Sequence, residues 1–82
     1  MSRYFFNICD GARIIRDREG TELPGLAEVQ RELFDFGLKI LKHRFTYGIE
    51  DPSLWSIQVV NEDHRVLTRV PLAQVKRLHR MA

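Results

Sequence analysis

The sequence predicts an α+β fold: a two-layer β-β-α-β-β domain with a four-stranded antiparallel sheet, one long helix on one face and a short C-terminal helix. Three observations predict it. Leu26 to Phe45 repeats apolar residues at helical spacing. Tyr4–Cys9 and Trp55–Val60 are β-rich runs, each followed by a polar turn and a second β run. With 82 residues the chain has room for one core, so residues 1–82 read as a single domain.

Tyr4, Phe6 and Ile8 alternate with Phe5, Asn7 and Cys9, the two faces of a strand. Asp10-Gly11 follows and signals a two-residue turn, because Gly accepts the positive φ that such turns use. Ala12–Arg16 is then the return strand of a hairpin. Asp17-Arg18-Glu19-Gly20 has the pattern of a type I turn, with Asp first and Gly last. Leu23 precedes Pro24 and is biased towards extended backbone, so the helix begins after it.

Gly25 stands at the N-cap, and Glu28 supplies the acidic half of a capping box. Glu28, Glu32 and Asp35 lie early in the helix, and Lys39, Lys42, His43 and Arg44 late, an order that complements the helix dipole. Gly48 is the natural stop. After a connector around Asp51-Pro52-Ser53, Trp55, Ile57 and Val59 alternate with Ser56 and Gln58. Asn61–His64 forms a turn, Arg65–Val70 a fourth strand that Pro71 ends, and Leu72, Val75 and Leu78 are spaced for the terminal helix. A right-handed crossover between the two hairpins gives the strand order 2-1-3-4.

The long helix carries more oil than one sheet face needs. Leu26, Val29, Leu33, Phe36 and Ile40 make one stripe, and Phe34, Leu38, Leu41 and Phe45 a second, together spanning an arc of about 200°. Leaving four such side chains in water would forgo roughly 6–12 kcal/mol, about the whole stability of a domain this size. Two covers compete: the segment Leu72–Leu78 folding back, or a second copy of the chain or another protein docking helix to helix, with Gly37 between the stripes permitting close approach. The first function expected is therefore a non-catalytic protein-interaction module, homodimeric through Phe34, Leu38, Leu41 and Phe45.

The alternative is a small nucleic-acid binder. Residues 1–36 hold five Lys/Arg against seven Asp/Glu, and residues 37–82 eight against four. Arg65, Arg69, Lys76, Arg77 and Arg80 are the cations that would meet phosphate. Phe5 is the one aromatic of its strand expected to point away from the helix, a thin basis for a stacking platform.

Other chemistry finds little support. Asp10, Asp17, Glu19 and Glu22 lack the spacing of a calcium loop, and turn chemistry accounts for all but Glu22, which is placed to pair with Arg3 or Arg31. His43, His64 and His79 fall on separate elements, out of register for zinc. Cys9 sits beside Asp10, whose charge blunts a thiol nucleophile, and reads as a structural thiol. No phosphate loop or nucleophile elbow appears, so no enzyme activity and no cofactor is expected. A single cysteine, no signal-peptide pattern and no long apolar run lead to the expectation of a cytoplasmic protein without a membrane partner.

Arg3-Tyr4-Phe5-Phe6, Asp10-Gly11, Asp17-x-x-Gly20-x-Glu22-Leu23-Pro24, Trp55-x-Ile57-x-Val59 and Val70-Pro71-Leu72 together resemble a family of short proteins of unknown function found mainly in rhizobial and related alphaproteobacteria. The resemblance covers nearly the whole chain and implies no activity, cofactor or site. Two departures stand out: Gly25 where the family has Asp at the helix cap, and His64 where it often has Gly in the second hairpin turn.

Overall fold

The computed structural model describes residues 1–81. Its elements run β1 (Ser2–Cys9), β2 (Ile14–Ile15), β3 (Thr21–Leu23), α1 (Leu26–Lys42), β4 (Ser56–Val60), β5 (Val66–Pro71) and α2 (Leu72–Met81), with a 3-10 turn at Pro52–Leu54. The class is α+β: one antiparallel sheet with both helices packed on the same face. The order along the sheet is β2-β1-β4-β5, and it departs from the expected four strands in one respect. A fifth strand, β3, lies beside β1 on the edge that β2 also uses.

That edge is one strand interrupted. Ile8 pairs with Ile15 and Tyr4 with Thr21, so Phe5, Phe6 and Asn7 face the longer segment Arg16–Gly20. Two residues are in excess, which is a bulge. The backbone ladder is lost there, and polar side chains replace it. The Asp17 carboxylate accepts the Phe6 N–H at 3.1 Å and the Gly20 N–H at 3.0 Å, while the Asp17 N–H donates to Asn7 Oδ1 at 2.9 Å. Asn7, buried, passes the network on to Gln58 Oε1. Gly20 has φ +72°, and a Cβ there would stand 2.9 Å from the Tyr4 carbonyl oxygen. Only glycine closes this bulge without strain.

The first hairpin turn is placed differently from the expectation. Asp10 N–H donates to Arg13 O at 3.0 Å, so the two loop residues are Gly11-Ala12 and Asp10 flanks them. The Asp10 carboxylate accepts the N–H groups of Ala12 and Arg13, and Gly11 has no positive φ. The side chain of Asp10 thus supplies what a glycine conformation would otherwise have to supply.

At its start, α1 departs from the expected capping box, because the N-cap Gly25 receives no side-chain hydrogen bond. At its end, regular helix stops at Lys42 instead of Phe45, and looser turns carry the chain to Gly48. There Ile49 N–H donates to Arg44 O at 2.8 Å and Gly48 N–H to Phe45 O at 3.1 Å, with Gly48 at φ +74°. Gly48 thus ends the turns that follow α1 and not the helix itself, whose C-cap is His43, five residues earlier than expected. These turns deliver Ile49 into the core, where it is fully buried.

The core lies between sheet and helices. Phe6, Ile8, Ile57 and Val59 rise from the sheet to meet Val29, Leu33 and Ile40 of α1 and Leu72 of α2. Phe6 and Phe36 meet edge to face at 6.2 Å. Leu72 N–H donates to Trp55 O, which ties the start of α2 to the entrance of β4.

The second hairpin turns without glycine. Asn61 Oδ1 accepts from Asp63 and Arg65, and His64 sits at φ +63°. A left-handed residue after two turn residues is the position glycine fills at least cost. His64→Gly is therefore expected to stabilise the domain by about 0.5–1 kcal/mol, after allowing for the extra freedom of glycine in the unfolded chain. Thermal unfolding followed by circular dichroism should show a rise of a few degrees in midpoint.

Candidate functional site

The surplus stripe of α1 meets α2. A Cβ on Gly37 would lie 2.9 Å from both Cγ atoms of Val75 and 3.3 Å from Ile57 Cδ1, so α2 crosses α1 at the glycine and touches its backbone. The terminal segment thus covers α1 at Gly37. The crossing also splits the stripe. Phe34 lies on one side of α2 with Leu26 and Leu78, and Leu38 and Leu41 lie on the other with Lys76 and His79. Phe45 is beyond the regular helix, 76% exposed, with the Arg44 guanidinium 4.8 Å over its ring. The four residues expected to form one interface thus occupy three places.

Two grooves flank α2. The first, ≈ 570 Å³, runs between the N-terminal half of α1, α2 and β5. Its rim residues Leu26, Leu67 and Leu78 are exposed, and its polar lining consists of Gln30, Thr68 and Gln74, with no charged group. The second, ≈ 630 Å³, lies at the C-terminal end of α1 and has Leu38, Leu41 and Pro52 among Lys42, Arg44, Lys76 and His79.

The five cations expected to meet phosphate do not converge. Arg69 pairs with Gln58 across the sheet, on the face opposite Ile57 and hence opposite the helices. Arg65 follows the turn at the start of β5, whereas Lys76, Arg77 and Arg80 are exposed on α2. Of the five, only Lys76 lines the basic groove, joined there by its tail neighbour His79 and by Lys42 and Arg44, which sequence reasoning did not group with it. Their signal was the basic last turn of each helix, and nothing in the sequence said that the two ends meet. The apolar groove was missed in the same way, since Leu67 and Leu78 join Leu26 only through the tertiary fold.

The acidic residues of the first loops are held by the protein itself. Glu22 pairs with Arg3 at 3.2 Å, Asp10 with Arg13 at 3.5 Å, and Asp17 is consumed by the bulge. Among the described residues no group of three or more His, Cys, Asp or Glu could hold a metal ion. Cys9 is buried with its Sγ 3.5 Å from Ser56 Oγ. Phe5 faces away from the helices, but its ring edge would meet a Cβ on Gly20, so the bulge packs on it. No helix among the described residues is long and apolar enough to cross a membrane.

Backbone N–H bonds from Ala12 and Arg13 lower the pKa of Asp10 below its ordinary 3.8, and the Ser53 hydroxyl and N–H do the same for Asp51. A depressed folded-state pKa stabilises above the unfolded value and is lost as pH falls through the folded one. Resistance to urea is thus expected to fall as pH drops below 3.8, and the Asp10→Asn, Asp51→Asn double variant should flatten that fall.

No curated protein and no solved structure matches the chain. A family match does exist, to "Domain of unknown function (DUF6894)", over residues 3–73. It spans the sheet from Arg3 onward, all of α1 and the first residues of α2, including Leu72. The chain therefore belongs to the DUF6894 family, a domain of unknown function.

Proposed function

We propose that this domain is a non-catalytic protein-interaction module that pairs with a second copy of itself through the uncharged groove between α1, α2 and β5. The observation that carries the reading is the lining of that groove. A two-fold interface lays the same patch of each copy against the other, so a charged groove would meet its own charge. The basic groove holds Lys42, Arg44 and Lys76, and a groove near the second hairpin holds Glu62 and Asp63. The open-face groove holds Arg16, Arg18 and Asp17. The groove rimmed by Leu26, Leu67 and Leu78 is free of that conflict. It also answers a need, because a chain of 82 residues buries only about 60–65% of its unfolded surface and gains stability by association.

Light scattering on a gel-filtration eluate tests this. At roughly 100 μM the wild-type protein should run at twice the 9.7 kDa chain mass. Leu26→Glu should reduce it to one chain. That substitution places an acidic residue in the first turn of α1, where the helix dipole favours it, so loss of the dimer would not reflect loss of the helix. A wild-type protein eluting at 9.7 kDa would remove the proposal.

A further inference from the structure

We infer that the basic groove on the other side of α2 binds single-stranded nucleic acid, with Lys42, Arg44 and Lys76 on the phosphates and Phe45 as a stacking face. The sequence places Lys42 and Arg44 at the end of α1 and Lys76 within α2, far apart in the chain, and the crossing at Gly37 brings the three into one groove, with Phe45 next to Arg44 outside its lining. The groove has Lys42, Arg44, Lys76 and His79 in its lining and no acidic residue. The ion pairs of the described residues are Arg3–Glu22 and Arg13–Asp10, so among the described residues no carboxylate lies within bonding range of a groove cation. Asp51 feels the charge of Arg44, and its Oδ1 is engaged by Ser53.

Three cations around an apolar floor hold an extended anion better than a single small one. Shape favours a strand over an anionic bilayer. The apolar side chains Leu38, Leu41 and Pro52 lie among the cations of a concave groove, where a threading strand reaches them and a flat lipid surface does not. Phe45 is 76% exposed, with one ring face already under the Arg44 guanidinium, leaving the other for a base. Stacking of this kind takes an unpaired base of any sequence and excludes the closed base pairs of a duplex. The site is separate from the uncharged groove, so it works in the monomer and in the dimer alike.

Fluorescence anisotropy of a labelled single-stranded DNA of about 20 nucleotides is the test. Affinity should fall with salt at a log–log slope of about −2, as expected for three phosphate contacts on a single strand. At about 50 mM salt the Lys42→Glu, Lys76→Glu double variant should bind at least about tenfold more weakly. Arg65→Glu, Arg69→Glu makes the same change in net charge away from the groove and should change affinity by less than about threefold. Phe45→Ala should weaken the single strand by about fivefold or more and leave duplex binding unchanged. Equal losses in the two double variants would show diffuse attraction and overturn the assignment. So would absence of binding at low salt, or binding to phosphatidylserine vesicles without binding to the oligonucleotide.

Discussion

Gly37→Leu is expected to remove about 3 kcal/mol or more of stability and to lower the thermal midpoint by more than about 10 °C. The reason is the absence of room. Even a single carbon on Gly37 would sit 2.9 Å from both methyls of Val75, and Val75 is 1% exposed with Ile57 beneath it fully buried. A valine in a helix has one strongly preferred χ1, so its methyls do not swing aside. Leucine is the better helix former by about 0.8 kcal/mol, which works against the clash and makes the observed loss a lower bound on it. The measurement is thermal unfolding beside Gly11→Ala as control. A Cβ on Gly11 meets nothing within 4 Å and its φ is not positive, so that variant should be near neutral.

The second large effect is expected at Asp17. Asp17→Ala deletes the acceptor of the Phe6 and Gly20 N–H groups in the partly buried bulge. Each of the two orphaned donors costs about 1–3 kcal/mol, so a loss of about 2–6 kcal/mol is expected. Asp17→Asn refines the test. An amide keeps one accepting oxygen and turns a donor towards the other N–H, so it should recover part of the loss but not all of it. Denaturant midpoints of the three proteins should fall in the order Asp, Asn, Ala. An alanine variant as stable as wild type would show that water serves the bulge as well as the carboxylate does.

Much of the fold was legible because local pattern and tertiary environment agree. The Trp55-x-Ile57-x-Val59 alternation marked a strand whose Trp55, Ile57 and Val59 are all buried. The first stripe of α1 put Val29, Leu33 and Ile40 into the core, and Gly48 takes the left-handed conformation its freedom allows, though in the turns beyond the end of α1. β3 was not legible. Thr21–Leu23 is three residues long, followed by proline, and is a strand only because Asp17 and Gly20 bring the chain back to the edge of β1. The end of α1 was overextended for a similar reason. Phe45 keeps the helical spacing, but Ile49 is drawn into the core and the last turns loosen to deliver it.

The candidate sites were less visible than the fold. Each groove is made where α2 crosses α1, so its lining comes from segments that no periodicity links. The surplus of apolar residues on α1 could be read from spacing alone, and so could Gly37 as the point of close approach. Which of the two covers would use that point depended on the path of residues 72–81, which spacing does not reveal. With α2 in place, what remains uncovered is smaller than the whole stripe: an uncharged groove at one end and a basic groove at the other.

The direct measurement of that crossing is a double-mutant cycle over Gly37→Ala and Val75→Ala, read by urea unfolding. Val75→Ala removes the two methyls that a Cβ on residue 37 would strike, so the double variant should be more stable than the sum of the single losses by about 1–2 kcal/mol. Losses that add within about 0.3 kcal/mol would mean that the two residues do not touch, and that α2 does not close over α1.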